Sequence, residues 1–137
     1  MSSKNILITG ASSGFGKLSA QTLALKGHMV IATMRNIKGS NAQNAHDLEK
    51  WAKSHHVNLV IFELDVTSEE SVASVKDKVL IATKGNLDVV INNAGIYSGG
   101  LTESFTIDDY KNLFEVNVFG SVRVTNAFLP TLRQQGN

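Results

Sequence analysis

Short apolar runs alternate along the chain with stretches of helical spacing, and this alternation restricts the possible folds more than any other feature of the sequence. The runs cover residues 5–9, 29–33, 58–64 and 87–91, and each has Gly, Asn, Asp or His at or beside one of its ends. Their length and their aliphatic and β-branched residues predict buried strands. The stretches at about 15–26, 41–55 and 68–83 have the spacing of helices. Near-continuous apolar strands cannot leave a face in water, so the pattern predicts a doubly wound α/β fold with right-handed crossovers and a parallel sheet.

The predicted helix ends carry their own signals. Thr67 and Glu70 have the spacing of a capping box at the start of the third helix. Gly27 and Gly85 stand where helices end, and we expect both to adopt positive φ.

A last helix is predicted from about Ile107 to about Arg133, after a longer connection that contains glycine. Pro130 is expected to bend or end its last turn. With 137 residues, 42% of them apolar, the chain has room for one hydrophobic core, so we expect a single domain over residues 1–137.

Composition excludes several kinds of partner. The net charge is +1 with acidic and basic residues well mixed, which argues against binding to nucleic acid or to a membrane surface. There is no cysteine, and the four histidines have no ligand spacing, so no metal site is expected. The apolar run at residues 6–8 is too short for a secretory signal or a membrane span, and we expect a cytoplasmic protein.

A glycine-rich turn, Thr9-Gly-Ala-Ser-Ser-Gly-Phe-Gly16, joins the first predicted strand to the first predicted helix. Glycine lets the backbone approach a pyrophosphate closely, and the helix N-terminus supplies free N–H groups and partial positive charge. The alternative is an ordinary turn rich in small residues. The strand-turn-helix context favours dinucleotide binding, with the following candidate residues: Gly10, Ser12, Ser13, Gly14, Phe15 and Gly16.

The end of the second predicted strand indicates which dinucleotide is bound. An NAD-binding unit of this kind has an acidic residue there, which bonds the ribose 2′-hydroxyl. This chain has Arg35 instead, and a guanidinium binds phosphate well, so NADP is favoured over NAD. Ser12 is a second candidate donor to the 2′-phosphate. The alternatives are a solvated loop cation at Arg35 and a simple turn residue at Ser12.

These motifs together make the chain resemble the short-chain dehydrogenase/reductase family along nearly its whole length. The turn at residues 9–16 matches the family's TGxxxGxG pattern, Asp65-Val66 matches an acidic-apolar pair after the third strand, and residues 92–95 match its NNAG segment. Asn117 matches an asparagine in the middle of a helix. The resemblance implies a Rossmann-like fold and hydride transfer between NADP(H) and a small carbonyl or alcohol substrate.

The resemblance also implies roles for individual residues. Asp65 would meet the adenine amino group and Val66 the adenine ring, while Asn92, Ala94 and Gly95 would line the ribose and nicotinamide side. The residues alone leave alternatives open. Asp65 could only start a turn before Thr67, and residues 92–95 could only end a strand.

Two further asparagines receive roles by resemblance. Asn93 would tie strands together, and Asn117 would hold a water molecule in a proton relay. The alternative for Asn117 is an amide that faces solvent. If it is buried, its hydrogen bonds must be satisfied.

The family's catalytic Tyr-x-x-x-Lys pair is absent from this sequence. The residues four positions after Tyr97 and Tyr110 are Leu101 and Phe114, so we expect both tyrosines to be packing residues. The family's substrate-binding serine would fall on a strand beyond the last helix. We therefore expect an N-terminal nucleotide-binding portion, truncated after about four strands and inactive alone.

Two expectations concern assembly. Residues 87–91 would form an exposed apolar sheet edge, which we expect another chain to cover. The resemblance suggests a homo-oligomer built partly through the last helix. The alternative function is a non-catalytic dinucleotide-binding or interaction module, whose last helix would pair with a partner through Leu113, Val116, Phe119 and Val122.

Overall fold

The fold was analysed in a computed structural model, in which residues 2–136 are described. Its centre is a parallel sheet of four strands in the order β3-β2-β1-β4. The strands are β1 (Asn5–Ile8), β2 (Met29–Met34), β3 (Leu59–Glu63) and β4 (Val89–Ile91). The predicted doubly wound α/β fold is confirmed, and each predicted strand lies within two residues of its observed bounds.

Helices connect the strands and continue beyond the last one. They are α1 (Gly14–Leu25), α2 (Ala42–Ser54), α3 (Glu69–Ala82), α4 (Ile107–Phe114) and α5 (Gly120–Gln134). A short 3-10 turn covers Thr102–Ser104, and a π-helical segment, Glu115–Phe119, joins α4 to α5. Among the described residues, 2–136, no helix combines the length and apolar character needed to cross a membrane.

The core lies on both faces of the sheet, as near-continuous apolar strands require. Leu7 and Ile31 face a cluster formed with α3 and α5, in which Phe128 is the largest fully buried side chain. Ile6 and Ile8, the neighbours of Leu7, face a second cluster formed with α1 and α2. This alternation holds the carboxyl ends of β1 and β2 between two packed layers.

The helix starts and ends differ in part from the predictions. Gly27 and Gly85 have positive φ, as expected. The capping box predicted at Thr67 is wrong: Ser68 is the N-cap of α3, and its hydroxyl accepts a hydrogen bond from the Ser71 amide at 3.1 Å. The Thr67 hydroxyl does not cap the helix, because it donates a hydrogen bond to the Asp65 carboxylate.

Pro130 does not end its helix, since α5 continues to Gln134. A proline inside a helix removes one main-chain hydrogen bond, and the buried positions Phe128 and Thr131 beside it hold α5 in place. The single predicted last helix is in fact interrupted by the π segment. Such segments mark a local widening that side-chain periodicity does not reveal.

Several predicted surface roles need correction. Tyr97 is 91% exposed, so it is not a packing residue, whereas Tyr110 packs its ring against Phe105. Val116 is buried in the core and does not belong to a free helix face. Leu87 is also fully buried, so the exposed part of the outer sheet edge is smaller than predicted and includes Val89.

Candidate cofactor-binding cleft

An open cleft of about 260 Å³ lies beyond the carboxyl ends of the strands. The chain leaves β1 towards β2 on one side, while β4 lies on the other side, and in α/β sheets ligands bind where the strand order reverses in this way. Ten predicted site residues line the cleft: Gly10, Ser12, Ser13, Phe15, Gly16, Arg35, Asp65, Val66, Ala94 and Gly95. Residues predicted from four separate segments are thus brought together.

Close backbone packing explains two of the glycines. Gly10 has a φ of +68°, and a Cβ there would lie 2.7 Å from the Cα of Ala94. Gly16 is in the first turn of α1, where a Cβ would collide with the Gly10 carbonyl oxygen and the Asn93 side chain. Any larger residue would push the turn away from the end of β4.

The turn leaves several main-chain N–H groups available. The Ala11 amide donates to the Thr33 carbonyl oxygen at 2.8 Å and is therefore used. Within residues 2–136, the amides of Ser12, Gly14, Phe15 and Gly16 donate to no protein acceptor. The first N–H groups of a helix have no partner inside it and carry partial positive charge. Ser13 is the N-cap residue of α1, yet its side chain makes no capping bond.

A hydrogen-bond network around Thr9 fixes the turn against the end of β4. The Thr9 hydroxyl oxygen accepts from the amides of Asn93 and Ala94 at 3.0 and 2.9 Å. The Asn93 side chain donates to the carbonyl oxygens of Thr9 and Gly10 at 2.9 and 3.0 Å. Asn93 therefore ties the two strand ends together, which is the role that the resemblance implied.

Asp65 lies on the far wall of the cleft, after β3. One of its carboxylate oxygens accepts from the amide and the hydroxyl of Thr67 at 2.9 and 2.7 Å. Partial burial opposes ionisation, but these two bonds, together with the charges of Arg35 and Arg123, outweigh it and hold the pKa of Asp65 below its ordinary value. One Asp65 oxygen therefore stabilises the turn before Thr67, which was the alternative to adenine binding. Among residues 2–136, the other oxygen accepts no hydrogen bond.

Arg35 follows the last residue of β2 and is exposed at the rim of the cleft. Its carbonyl oxygen accepts from the Asn41 side chain at 2.7 Å, which fixes its main chain. Within the described part of the chain, its guanidinium forms no ion pair, although its charge helps to lower the pKa of Asp65.

Three predicted residues lie outside the lining of the cleft. Gly14 is exposed on the turn, and Asn92 donates to the Thr125 hydroxyl at 2.9 Å. Asn117 stands in the π segment, where its amide accepts from the Ile96 amide at 2.8 Å and donates to the Ile96 carbonyl oxygen at 2.9 Å. Asn117 is exposed, but its amide is partly used by protein.

Six lining residues were not among the predicted cofactor-binding residues, although Asn93 had been given a structural role: Met34, Leu64, Thr67, Asn93, Ile96 and Val116. Each is the immediate neighbour of a predicted site residue, and this adjacency was the available signal. Most are apolar, and they supply the non-polar surface on which a flat ring can pack.

Arg123 was not predicted at all and lies behind the wall formed by Val66. Its guanidinium donates to the Val66 carbonyl oxygen at 2.7 Å and to the carboxylates of Glu69 and Glu115 at 2.6 and 2.8 Å. The hydrogen bond with Glu69 is the largest cause that raises the pKa of Arg123 above its ordinary value. Partial burial lowers this pKa, and the hydrogen bond and charge of Glu115 raise it further. Within residues 2–136, no three His, Cys, Asp or Glu side chains form a group that could hold a metal ion.

The strand order, together with the cleft at the point where that order reverses, defines a Rossmann-like α/β protein. More specifically, the chain belongs to the short chain dehydrogenase family, which it matches over residues 4–137.

Curated relatives and solved structures agree with this assignment. The chain is 38% identical to an uncharacterized oxidoreductase, YusZ, of Bacillus subtilis over 99% of its own length and 46% of the relative's. It is 36% identical to human retinol dehydrogenase 8, over 98% of this chain and 42% of that protein. The chain thus spans less than half the length of these relatives.

Among solved structures, the NADPH-bound carbonyl reductase from chicken fatty liver superposes with a TM-score of 0.85 at 34% identity, over 98% of this chain and 51% of that one. A short-chain dehydrogenase from Streptomyces avermitilis gives a TM-score of 0.84 at 37% identity, over 99% of this chain and 47% of that one.

Proposed function

We propose that this chain binds NADP(H) in the cleft and forms the nucleotide-binding portion of an oxidoreductase that moves hydride between nicotinamide and a carbonyl or alcohol substrate. The observation that carries the proposal is the set of amides at the start of α1 that have no partner within residues 2–136, beside the Arg35 guanidinium, which forms no ion pair in the same part of the chain. When bound, the cofactor supplies the hydride chemistry, and the residues of this chain hold and orient it.

The pyrophosphate is assigned to the turn. In the described part of the chain, the amides of Gly14, Phe15 and Gly16 have no protein acceptor, and the Ser13 hydroxyl makes no capping bond. Helix N-termini of this kind bind phosphate through free N–H groups and through the helix dipole. The packing of Gly10 and Gly16 without side chains keeps that N-terminus at the mouth of the cleft.

The preference for NADP over NAD is assigned to Arg35, with Ser12 as a second donor. No carboxylate stands in residues 32–36, where an NAD-binding unit has one. The carbonyl reductase from chicken is described with NADPH, and an alcohol dehydrogenase from Thermococcus sibiricus, 32% identical to this chain, is described with 5-hydroxy-NADP. Both descriptions support the proposal without deciding it for this chain.

The remaining residues are assigned to the two ends of the dinucleotide. Asp65 keeps one carboxylate oxygen available for the adenine amino group, and Val66 offers an apolar wall for the ring. Ala94 and Gly95 line the opposite wall, and we assign them, with Asn92, to the ribose and nicotinamide side.

Asn117 is the proposed relay residue. An asparagine amide has two N–H groups and two lone pairs on its oxygen, and Ile96 uses one of each. One donor and one acceptor are left for a water molecule. Because no tyrosine in the sequence has a lysine four positions later, we propose that these residues bind cofactor but do not complete turnover.

A second candidate function is a non-catalytic interaction module. It would use the exposed apolar side chains of Val118, Phe119 and Val122 on the π segment and α5. The same side chains would serve a homo-oligomer of the enzyme, so they do not favour the module over the oxidoreductase.

Calorimetric titration of NADPH and NADH into the purified protein and into Arg35→Ala tests the proposal. We expect the unmutated protein to bind NADPH more tightly, and Arg35→Ala to weaken NADPH by about tenfold or more, because a charged hydrogen bond is lost. NADH binding should change by less than roughly twofold, since it has no 2′-phosphate.

Lys50→Ala is the matched control, because Lys50 is an exposed cation on α2 outside the cleft. It should leave both affinities unchanged. Tighter binding of NADH by the unmutated protein would overturn the choice of cofactor. A failure to bind either nucleotide by folded protein would overturn the whole assignment.

A further inference from the structure

We propose that Arg123 is a positioning residue for the adenine end of the dinucleotide, because it holds Val66 at the cleft wall and joins that wall to the π segment. This inference rests on the proposed binding of NADP(H). Arg123 does not line the cleft itself, so it acts through residues that do.

The main chain of Val66 depends on Arg123. Val66 lies in the connection between β3 and α3, outside the hydrogen-bond ladder of the sheet. Its carbonyl oxygen accepts from the Arg123 guanidinium at 2.7 Å, and the rest of residues 2–136 supplies it no other donor. Val66 is buried, and a buried carbonyl that loses such a bond either rotates or is left unsatisfied.

The Val66 side chain also packs against α5, the helix that carries Arg123. A Cβ on Gly120 would lie 2.6 Å from a methyl carbon of Val66, so α5 packs against this side chain without room for a larger residue at position 120. Gly120 and Arg123 are three residues apart and therefore lie on one face of α5. That face contacts Val66 through its methyl group and through its carbonyl oxygen.

The guanidinium also connects Val66 to two other elements. It donates to Glu69 in the first turn of α3 at 2.6 Å and to Glu115 in the π segment at 2.8 Å. The Arg123 side chain is only 16% exposed, whereas the Glu69 and Glu115 side chains are 82% and 40% exposed, so the bond to the Val66 carbonyl is the one least open to replacement by water. A planar guanidinium presents N–H groups in three fixed directions, which a lysine ammonium on a flexible stem does not reproduce.

The consequence is a mechanical link across the cleft. Glu115 precedes Val116, which lines the cleft, and Asn117, which holds the main chain of Ile96 on the nicotinamide side. Arg123 thus fixes the wall assigned to adenine relative to the segment assigned to the relay. Loosening it should affect the adenine half of the cofactor first.

Titration of Arg123→Lys with NADPH, with 2′,5′-ADP and with nicotinamide mononucleotide tests this role. We expect the variant to bind NADPH and 2′,5′-ADP about tenfold more weakly, since a buried carbonyl loses its donor. Binding of nicotinamide mononucleotide should stay within roughly twofold. Arg133→Lys is the matched control, because Arg133 is exposed on the same helix, has no ion pair within residues 2–136, and should bind all three as the unmutated protein does.

Each outcome decides the inference. Unchanged binding of 2′,5′-ADP would overturn it, and an equal loss for all three ligands would overturn it in favour of a general structural role. If Arg123→Lys does not fold, Glu115→Gln takes its place; it keeps the shape and removes one charge. This variant should weaken 2′,5′-ADP by about threefold, and an unchanged affinity would be equally decisive. If the unmutated protein binds no dinucleotide, the proposed function fails, whereas normal binding by both variants removes only the role of Arg123.

Discussion

Replacing Gly16 by alanine has two opposing effects on the free energy of unfolding, and their sizes can be compared. In an exposed helix the change would stabilise the fold by about 1 kcal/mol, because alanine is the better helix former. Here the new Cβ would collide with the Gly10 carbonyl oxygen and the Asn93 side chain. Overpacking of this kind costs about 1–3 kcal/mol. Displacement of Asn93 also breaks its two bonds to main-chain oxygens, at about 1 kcal/mol each.

The net expectation for Gly16→Ala is a loss of about 2–4 kcal/mol in the free energy of unfolding. Native domains have about 5–15 kcal/mol in total, so the variant should still fold. Urea unfolding followed by the fluorescence of Trp51, the single tryptophan, should show a midpoint lower by about 1–2 M. NADPH binding should weaken as well, because the first turn of α1 moves away from the cleft.

Gly27→Ala is the control for a glycine substitution without a collision. Gly27 has a φ of +85°, and among residues 2–136, its two chain neighbours aside, no atom lies within 4 Å of the position that its Cβ would take. It should lose about 1 kcal/mol from the left-handed conformation alone and keep its NADPH affinity. A midpoint for Gly16→Ala at or above that of the unmutated protein would refute the reasoning, since helix propensity would then exceed the cost of the collision.

Two other measurements test the wall of the cleft and the edge of the sheet. The pKa of Asp65 is lowered in the folded state, so its stabilising contribution is complete above the unfolded pKa of about 4 and is lost as the pH falls through the lower folded value. The difference in urea midpoint between the unmutated protein and Asp65→Asn should therefore be largest near neutral pH and shrink below roughly pH 4; a difference independent of pH would contradict this. Val89→Lys places a charge on the exposed edge of β4 and should reduce self-association in sedimentation velocity, whereas unchanged association would show that other surfaces cause it.

The strands could be predicted from the sequence because burial on both faces leaves a continuous apolar run with polar residues at its ends. The π segment could not, because no residue between Glu115 and Phe119 marks a widened turn. It is associated with contacts between distant parts of the chain: Asn117 with Ile96, and Gly120 with Val66. Thr67 shows the same limit locally, since its hydroxyl fits a helix cap by spacing but bonds to Asp65 in the structure.

The candidate site was predictable where residues follow directly on strands. Gly10, Arg35, Asp65 and Ala94 come after β1, β2, β3 and β4, and the carboxyl ends of parallel strands meet at one edge of the sheet. Arg123 was not predictable in this way. Its partners Val66 and Glu69 are 57 and 54 residues away in sequence, and an arginine in the middle of a helix usually indicates a solvated face.

The hydrogen bonds of the cleft separate the groups that build it from the groups it can offer to a ligand. Thr9 and Asn93 look like site residues by position, yet their side chains are engaged with main-chain groups that join the strand ends. Among residues 2–136, no buried side-chain polar atom lacks a partner, so the side chains of the framework need no ligand to satisfy them. Within residues 2–136, the groups without protein partners are the first amides of α1 and the guanidinium of Arg35, which are donors concentrated at one edge of the cleft. A surface of donors with few acceptors complements an anion with several phosphate groups, and for this reason the geometry favours a dinucleotide over a neutral ligand.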